Sequence, residues 1–312
     1  MALRVAAIDC GTNALRLLVA DVDAAAGRLV DVRREHRIVR LGEGVDATGQ
    51  LGSAAMLRAL DTTADYARWC ARLGVERVRF VATSATRDAG NAAEFTAGVR
   101  AAIGVEPEVL SGAEEARLSF TGATRGLLAD GGPYLVVDLG GGSTEFVLGA
   151  GEVLAAVSVD VGSVRITERH LHGDPPGAAE LTAARRDVGA AIDVAAAAVD
   201  LSRARVLVGV AGTVTTLTSH ALRLPADDLS RVHGCELDVA AVRAACGDLI
   251  GMSRLRRARL PYVPSGRVDV IGAGALIWDL IVERVAREAR LTRVLTSVHD
   301  ILDGVAWALA GA

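Results

Sequence analysis

The sequence predicts an α/β protein made of two similar domains, and three observations carry that prediction. Short apolar runs rich in β-branched residues alternate with segments whose apolar residues recur at helical spacing, as at Met56, Leu57, Leu60, Ala64, Ala67 and Cys70. A pattern of strand, aspartate, glycine-and-hydroxyl turn, strand occurs twice, about 130 residues apart. At 312 residues the chain is also long for one hydrophobic core.

The second copy of the pattern is the fuller one. Leu135, Val136 and Val137 make a short buried β-run that ends on Asp138. Gly140, Gly141 and Gly142 are expected to turn the backbone with positive φ and to let it come close to a ligand, which a Cβ would block. Ser143 and Thr144 add hydroxyls, Glu145 adds a second carboxylate, and Phe146-Val147-Leu148 resumes the sheet. The first copy runs from Val5 through Asp9, turns at Gly11, Thr12 and Asn13, and continues through Leu15 to Val19. An acid at a strand end followed by a bare-amide hairpin suits a metal-bound phosphate, because amides hold oxygens and carboxylates hold a hard cation.

Taken in order, residues 4–9, 14–22 and 28–40 read as a three-strand meander, with Arg33, Arg34, Arg37 and Arg40 as a charged, solvated edge. A helix follows over 53–73 and a strand over 77–82. That strand feeds Thr83 to Arg87 at a helix start, where the helix end and a guanidinium both favour an anion. After a strand at 106–110, Ser111 and Glu114 have the spacing of a capping box, while Glu115 has no such local task. Gly131-Gly132-Pro133 then reads as a linker to the second hairpin and a third strand at 152–159. The turn at 161–165 is expected to add further amides to the ligand side. Helices are expected over 182–200, 238–251, 301–310 and, as the longest, 267–290, with strands over 204–210 and 293–297. Ala211-Gly212-Thr213 repeats the strand, glycine, hydroxyl, helix junction of residues 83–87. Arg254, Arg256, Arg257 and Arg259 form either a solvated helix face or a polyanion track. His170 and His172, at i, i+2 on a helix end, have poor geometry for a metal, and His299-Asp300, without further histidine ligands, reads as a turn.

Composition narrows the chemistry. Hydrophobic residues are 51% and charged residues 23%, a globular balance. No uncharged apolar run of membrane length is present, so no membrane span is expected. Four scattered cysteines without a C-x-x-C pair suit a reducing cytoplasm. All 34 basic residues are arginine, which excludes a Walker-type P-loop lysine and Schiff-base catalysis and leaves arginine as the only long cationic side chain for phosphate. The net charge of −4 gives no global attraction to polyanions, and no nucleic-acid partner is expected.

The two hairpins, with Ala82-Thr83-Ser84-Ala85-Thr86-Arg87, the stretch Ser111 to Leu118 and Ala211-Gly212-Thr213, resemble the exopolyphosphatase and guanosine-pentaphosphate phosphatase family, within the actin, hexokinase and heat-shock-chaperone ATPase superfamily. The resemblance implies two ribonuclease-H-like (actin-like ATPase) domains around a central cleft, the first spanning 1–125 plus 299–312 and the second 126–298. It implies metal-dependent hydrolysis of terminal phosphate from inorganic polyphosphate, with guanosine pentaphosphate as the alternative substrate. Glu115 is then the general base and Arg87 a phosphate ligand. Gly11, Thr12, Asn13, Gly140, Gly141, Gly142, Ser143, Thr144, Gly212 and Thr213 bind substrate, and Asp138, with Asp9 or Glu145, holds Mg²⁺ or Mn²⁺. A cytoplasmic homodimer is expected. Two rivals from other classes are a sugar kinase of the same superfamily and a nucleotide-dependent scaffold like actin.

Overall fold

The structure, a computed structural model, describes residues 2–127 and 132–311. Gly131 of the expected linker lies outside them. The chain divides into two compact units, Met1–Gly122 with Ile301–Ala312, and Ala123–Asp300.

The first unit opens with β1 (Leu3–Cys10), β2 (Ala14–Asp23) and β3 (Arg28–Ile38). After α1 (Val45–Thr48) and α2 (Ser53–Arg72) come β4 (Arg77–Ala82), α3 (Ser84–Asp88), α4 (Ala92–Ile103), β5 (Glu108–Val109) and α5 (Gly112–Thr124). The sheet order is β3-β2-β1-β4-β5. The first three strands pair antiparallel, whereas β1, β4 and β5 run parallel. Alternation along β1 and β2 sends Ala6, Ile8, Leu15, Leu17 and Val19 to one face, where they pack with Met56, Tyr66 and Phe95 of the α2–α4 layer. Val5, Ala7, Leu18 and Ala20 face the other way, against Ile301, Leu302, Val305 and Trp307.

The second unit contains β6 (Tyr134–Leu139), β7 (Thr144–Ala150), β8 (Glu152–Val159), α6 (Ser163–His170), α7 (Ala178–Ala198), β9 (Val206–Val210), α8 (Ala211–Ala221) and α9 (Leu229–Val232). It continues through β10 (Cys235–Asp238), α10 (Val239–Gly251), α11 (Arg254–Arg257), α12 (Ile271–Ala289) and β11 (Arg293–Thr296), and the chain ends on α13 (Ile301–Leu309) in the first unit. Its sheet, β8-β7-β6-β9-β11-β10, repeats the first sheet's order and strand directions and adds β10 as an antiparallel edge.

The longest helix is α7, at 21 residues, and not the one before β11. Residues 265–267 form a separate 3-10 turn after Pro264, so α12 starts only at Ile271. Strand β10 was not foreseen, since four residues of alternating exposure carry little periodic signal. The arginines of β3 are not simply solvated. Arg33 lies 3.7 Å over the Trp69 ring, Arg37 pairs with Asp65, and Arg34 holds Asp303.

That last pair fastens α13. Arg34 reaches Asp303 through both terminal nitrogens, at 3.2 and 2.5 Å, and Asp303 is 2% exposed. One residue on, a Cβ at Gly304 would stand 2.0 Å from the Leu118 carbonyl oxygen, so α13 crosses α5 backbone to backbone. Asp303→Ala is therefore expected to destabilise the protein by about 1–3 kcal/mol, because it removes the buried carboxylate and leaves Arg34 only the exposed Asp31, which its Nε meets at 2.8 Å. Urea denaturation of the two proteins measures the loss, and a difference within about 0.5 kcal/mol would contradict the role of the pair.

Candidate active site

In each unit the conserved topology brings its loops to one end of the sheet. The β1–β2 turn follows the C-terminal end of β1, and residues 83–87 follow the C-terminal end of its parallel neighbour β4. In the second unit the β6–β7 turn and Ala211-Gly212-Thr213 stand in the same relation, after β6 and its parallel neighbour β9. The carboxyl ends of adjacent parallel strands are where open α/β sheets bind ligands.

The β6–β7 turn is held from behind. The Gly140 carbonyl accepts from the Ser163 amide (3.0 Å), the Gly141 carbonyl from the Val164 and Arg165 amides (2.8 and 3.2 Å), and the Gly142 carbonyl from Arg165 Nε (2.7 Å). The intervening peptides are trans, so the N–H after each carbonyl points the opposite way. The amides of Gly141, Gly142 and Ser143 thus face away from α6, and among the described residues none donates to a protein acceptor. Three such amides in a row make a concavity for an anion. Gly162 permits the approach, since a Cβ there would lie 2.4 Å from the Gly141 backbone. The amides of 163–165 thus do not join the ligand side as expected; they brace the turn. Thr144 also leaves the ligand side. It is fully buried and its hydroxyl donates to the Val161 carbonyl at 2.7 Å.

The β1–β2 turn uses the same device with a different brace. The Thr12 carbonyl accepts from the Gly42 amide (2.8 Å) and the Asn13 carbonyl from Val39 and Arg40 (3.0 and 2.9 Å), which turns the Asn13 amide away from that segment. The Gly11 amide closes the turn on the Ala14 carbonyl at 2.9 Å, as Gly140 does on Ser143 at 3.0 Å.

The acids differ between the copies. Asp138 is directly opposite Glu145 in the β6–β7 ladder, so the two carboxylates share one face with Cβ atoms about 5 Å apart. Both are buried, and Glu145 accepts from Ser158 Oγ at 2.7 Å. Asp9 is opposite Arg16 and takes Nε and Nη2 of that arginine at 2.9 and 2.6 Å. The cross-strand partner of the strand-end aspartate is thus a carboxylate in the second hairpin and a guanidinium in the first. Two carboxylates beside a phosphate cradle fit Mg²⁺ or Mn²⁺, which complete their shell with phosphate oxygens and water. Among the described residues no cluster of three or more His, Cys, Asp or Glu forms a metal cage. His170 instead bonds Asp187 at 2.8 Å, and the His299 ring packs 4.4 Å from that of His233.

Glu115 and Arg87 meet. Helix α5 buries Glu115, Ala116, Ser119 and Phe120 along one stripe, and Glu114 falls outside it. Glu114 closes the capping box, accepting from the Ser111 amide at 3.1 Å and the Ser111 hydroxyl at 2.8 Å. Those bonds hold its carboxyl below the usual range, the hydroxyl contributing most. Glu115 accepts instead from Arg87 Nη1 at 3.0 Å, and the same nitrogen donates to the Leu110 carbonyl at 3.1 Å. The Nε and Nη2 edge of Arg87, the fork that grips two oxygens of one anion, has no protein acceptor among the described residues. Helix α3 is only five residues long, so it offers little helix dipole and the guanidinium is the cationic group of residues 83–87.

At the third junction Ala211 adopts the left-handed region at φ 70°, a strained conformation for a residue with a Cβ. The Gly212 carbonyl accepts from Arg267 Nη1 (2.8 Å), which also reaches Thr216 Oγ1 (2.9 Å), while Thr213 is buried beside it. Sequence reasoning missed Arg16, Arg165 and Arg267. The hairpin register could have exposed Arg16, but Arg267 meets Gly212 from 55 residues away.

These features define two ribonuclease-H-like units of the actin-like ATPase type, each carrying a phosphate-suited turn. The chain belongs to the Ppx/GppA phosphatase family, which it matches over residues 18–303. It is 50% identical to Exopolyphosphatase 2 of Mycobacterium tuberculosis over 99% of both chains. Among solved structures it is similar to an exopolyphosphatase-like protein (41% identity, TM-score 0.96, 99% of this chain and 98% of that one). It is also similar to an exopolyphosphatase from Cytophaga hutchinsonii (25% identity, TM-score 0.89, with the same coverage).

Gly162→Ala tests the brace behind the β6–β7 turn. The added methyl must displace the Gly141 backbone, so orthophosphate binding by calorimetry is expected to weaken at least about tenfold. The accompanying loss of stability should stay within about 1–3 kcal/mol, as for other overpacked sites. Unchanged phosphate affinity would mean that the turn does not serve as the cradle.

Proposed function

We infer that the chain is an exopolyphosphatase, which hydrolyses the terminal phosphoanhydride of inorganic polyphosphate. Its full-length 50% identity to Exopolyphosphatase 2 carries the choice of substrate. The chemistry rests on a buried glutamate, a phosphate-gripping arginine and an amide cradle. In this reading the phosphate ligands of the second unit are the amides of Gly141, Gly142 and Ser143 with Thr213, and those of the first unit are Asn13 and the open fork of Arg87. Asp138 and Glu145 hold Mg²⁺ or Mn²⁺; Asp9 is less suited, because Arg16 already neutralises it. The cation, when bound, neutralises charge on the phosphoryl oxygens.

Glu115 is the general base. Arg87 fixes its carboxylate at 3.0 Å, and burial keeps it from competing waters. It takes a proton from the attacking water as that oxygen bonds to the terminal phosphorus. The bridging P–O bond breaks, and the shortened chain leaves as a phosphate anion. Phosphoryl transfer needs mainly positioning and charge neutralisation, so one base contributes about 10²–10⁴-fold in rate.

Release of orthophosphate from polyphosphate without any nucleotide tests the assignment, with guanosine pentaphosphate and ATP as competing substrates. Turnover of ATP alone would favour a kinase or scaffold instead. Glu115→Gln is expected to lower kcat by about 10²–10⁴-fold with little change in KM, since it keeps shape and removes the proton acceptor. Glu114→Gln should cost about 1 kcal/mol or less of stability and leave kcat intact, because it weakens only a cap. The reverse pattern would exchange the two roles. Asp138→Asn is expected to raise the divalent-cation concentration needed for half-maximal rate, and full activity in excess chelator would remove the metal from the reaction.

A further inference from the structure

The four arginines near residue 256 do not share a face. Helix α11 is a single turn, and Arg257 within it is 3% exposed. Its guanidinium turns inward and donates to the Leu249 and Ile250 carbonyls at the end of α10, at 2.9 and 3.3 Å, and to the Val268 carbonyl at 3.4 Å. Gly272 makes room, since a Cβ there would meet that guanidinium at 2.3 Å. Arg257 is thus an anchor, and it cannot belong to a surface track. Asp174 fixes the turn from outside by accepting from the Arg254 amide at 2.7 Å.

On this anchored turn Arg254, Arg256 and Arg259 are exposed, and among the described residues none of their side chains forms a hydrogen bond or an ion pair. Some other exposed arginines are neutralised, as Arg100 is by Glu106 and Arg293 by Glu236; Arg203, Arg205 and Arg223 are exposed and unpaired too, but among the described residues only here do three such arginines fall within six positions. A paired arginine must give up its carboxylate before it can bind another anion. These three need not. The anchor also ties the turn to the cradle side of the unit, because Val268 follows Arg267, whose Nη1 holds the Gly212 carbonyl.

We propose that Arg254, Arg256 and Arg259 form a docking surface for the outer part of a long polyphosphate chain. The proposal rests on the exopolyphosphatase assignment and supplies what the hydrolytic centre lacks. A terminal phosphoryl occupies the cradle, but the rest of the chain carries about one negative charge per unit, and a protein of net charge −4 does not attract it globally. Three unpaired guanidinium forks on a rigid turn offer local charge and bidentate geometry at little entropic cost. The ligand class is a linear polyanion long enough to leave the cradle.

The test is the triple variant Arg254→Gln, Arg256→Gln, Arg259→Gln, with the anchor Arg257 kept. KM for a polyphosphate of several hundred units is expected to rise at least about tenfold at low salt. The slope of log KM against log salt should flatten by about 2, three neutralised phosphates at about 0.7 each. Tripolyphosphate, too short to leave the cradle, should keep its kcat/KM. Leu255→Ser, which alters the most exposed apolar residue of the turn without changing charge, should match wild type on the long chain. Unchanged KM and slope for the long chain, equal losses on both substrates, or the same loss in Leu255→Ser would each overturn the proposal. Equilibrium binding of long polyphosphate to the wild type and the triple variant reads the surface without turnover. Equal affinities overturn the docking surface even if wild type is active. Weaker binding by the variant supports it, and an inactive wild type would then count against the hydrolase assignment alone.

Discussion

A trans peptide points its carbonyl and the following amide in opposite directions, and the candidate site depends on that constraint. Three successive carbonyls of the β6–β7 turn are captured by the first turn of α6, so three successive amides face the other way. The glycines at 140–142 are not among those at positive φ, and they do not orient anything by themselves. What orients them is Ser163, Val164 and Arg165, pressed close because Gly162 has no side chain. A flexible glycine turn would have to be ordered by its ligand at an entropic cost; this one is ordered beforehand.

Duplication explains why the same device appears in both units, and the substitutions between copies explain why they are not interchangeable. The cross-strand partner of the strand-end aspartate is Glu145 in one hairpin and Arg16 in the other. Two carboxylates therefore face each other beside the β6–β7 turn, while the β1–β2 turn keeps an ion pair. The first unit carries instead an ion pair on its next two strand ends, Arg87 after β4 and Glu115 after β5. Helix α13 underlies that arrangement. Its Asp303 holds β3, and its Gly304 lies on α5 one turn beyond Glu115.

The difference between Glu114 and Glu115 shows how packing assigns chemistry to like residues. Adjacent on one helix, they differ by about 100° around its axis. Glu114 points to solvent and satisfies backbone donors at the helix start. Glu115 lies on the buried stripe, where Arg87 can reach it.

By itself the sequence determined the α/β class, the two copies of the strand, acid and glycine turn, the capping role of Glu114 and the absence of lysine chemistry. All of these follow from local periodicity, turn chemistry or composition, which need no knowledge of distant contacts. Strand 152–159 and strand 77–82 were legible to the residue for that reason. Only the tertiary structure decided which turn amides are left open, that Thr144 braces the turn, that Arg16 pairs with Asp9, that Arg267 meets Gly212, and that Arg257 is an internal anchor among three exposed arginines. Each of those depends on partners far away in the chain or on which side of an element faces the core. A run of four arginines in six positions has the same charge pattern whether a guanidinium points outward or caps the carbonyls of a neighbouring helix, and only packing separates the two.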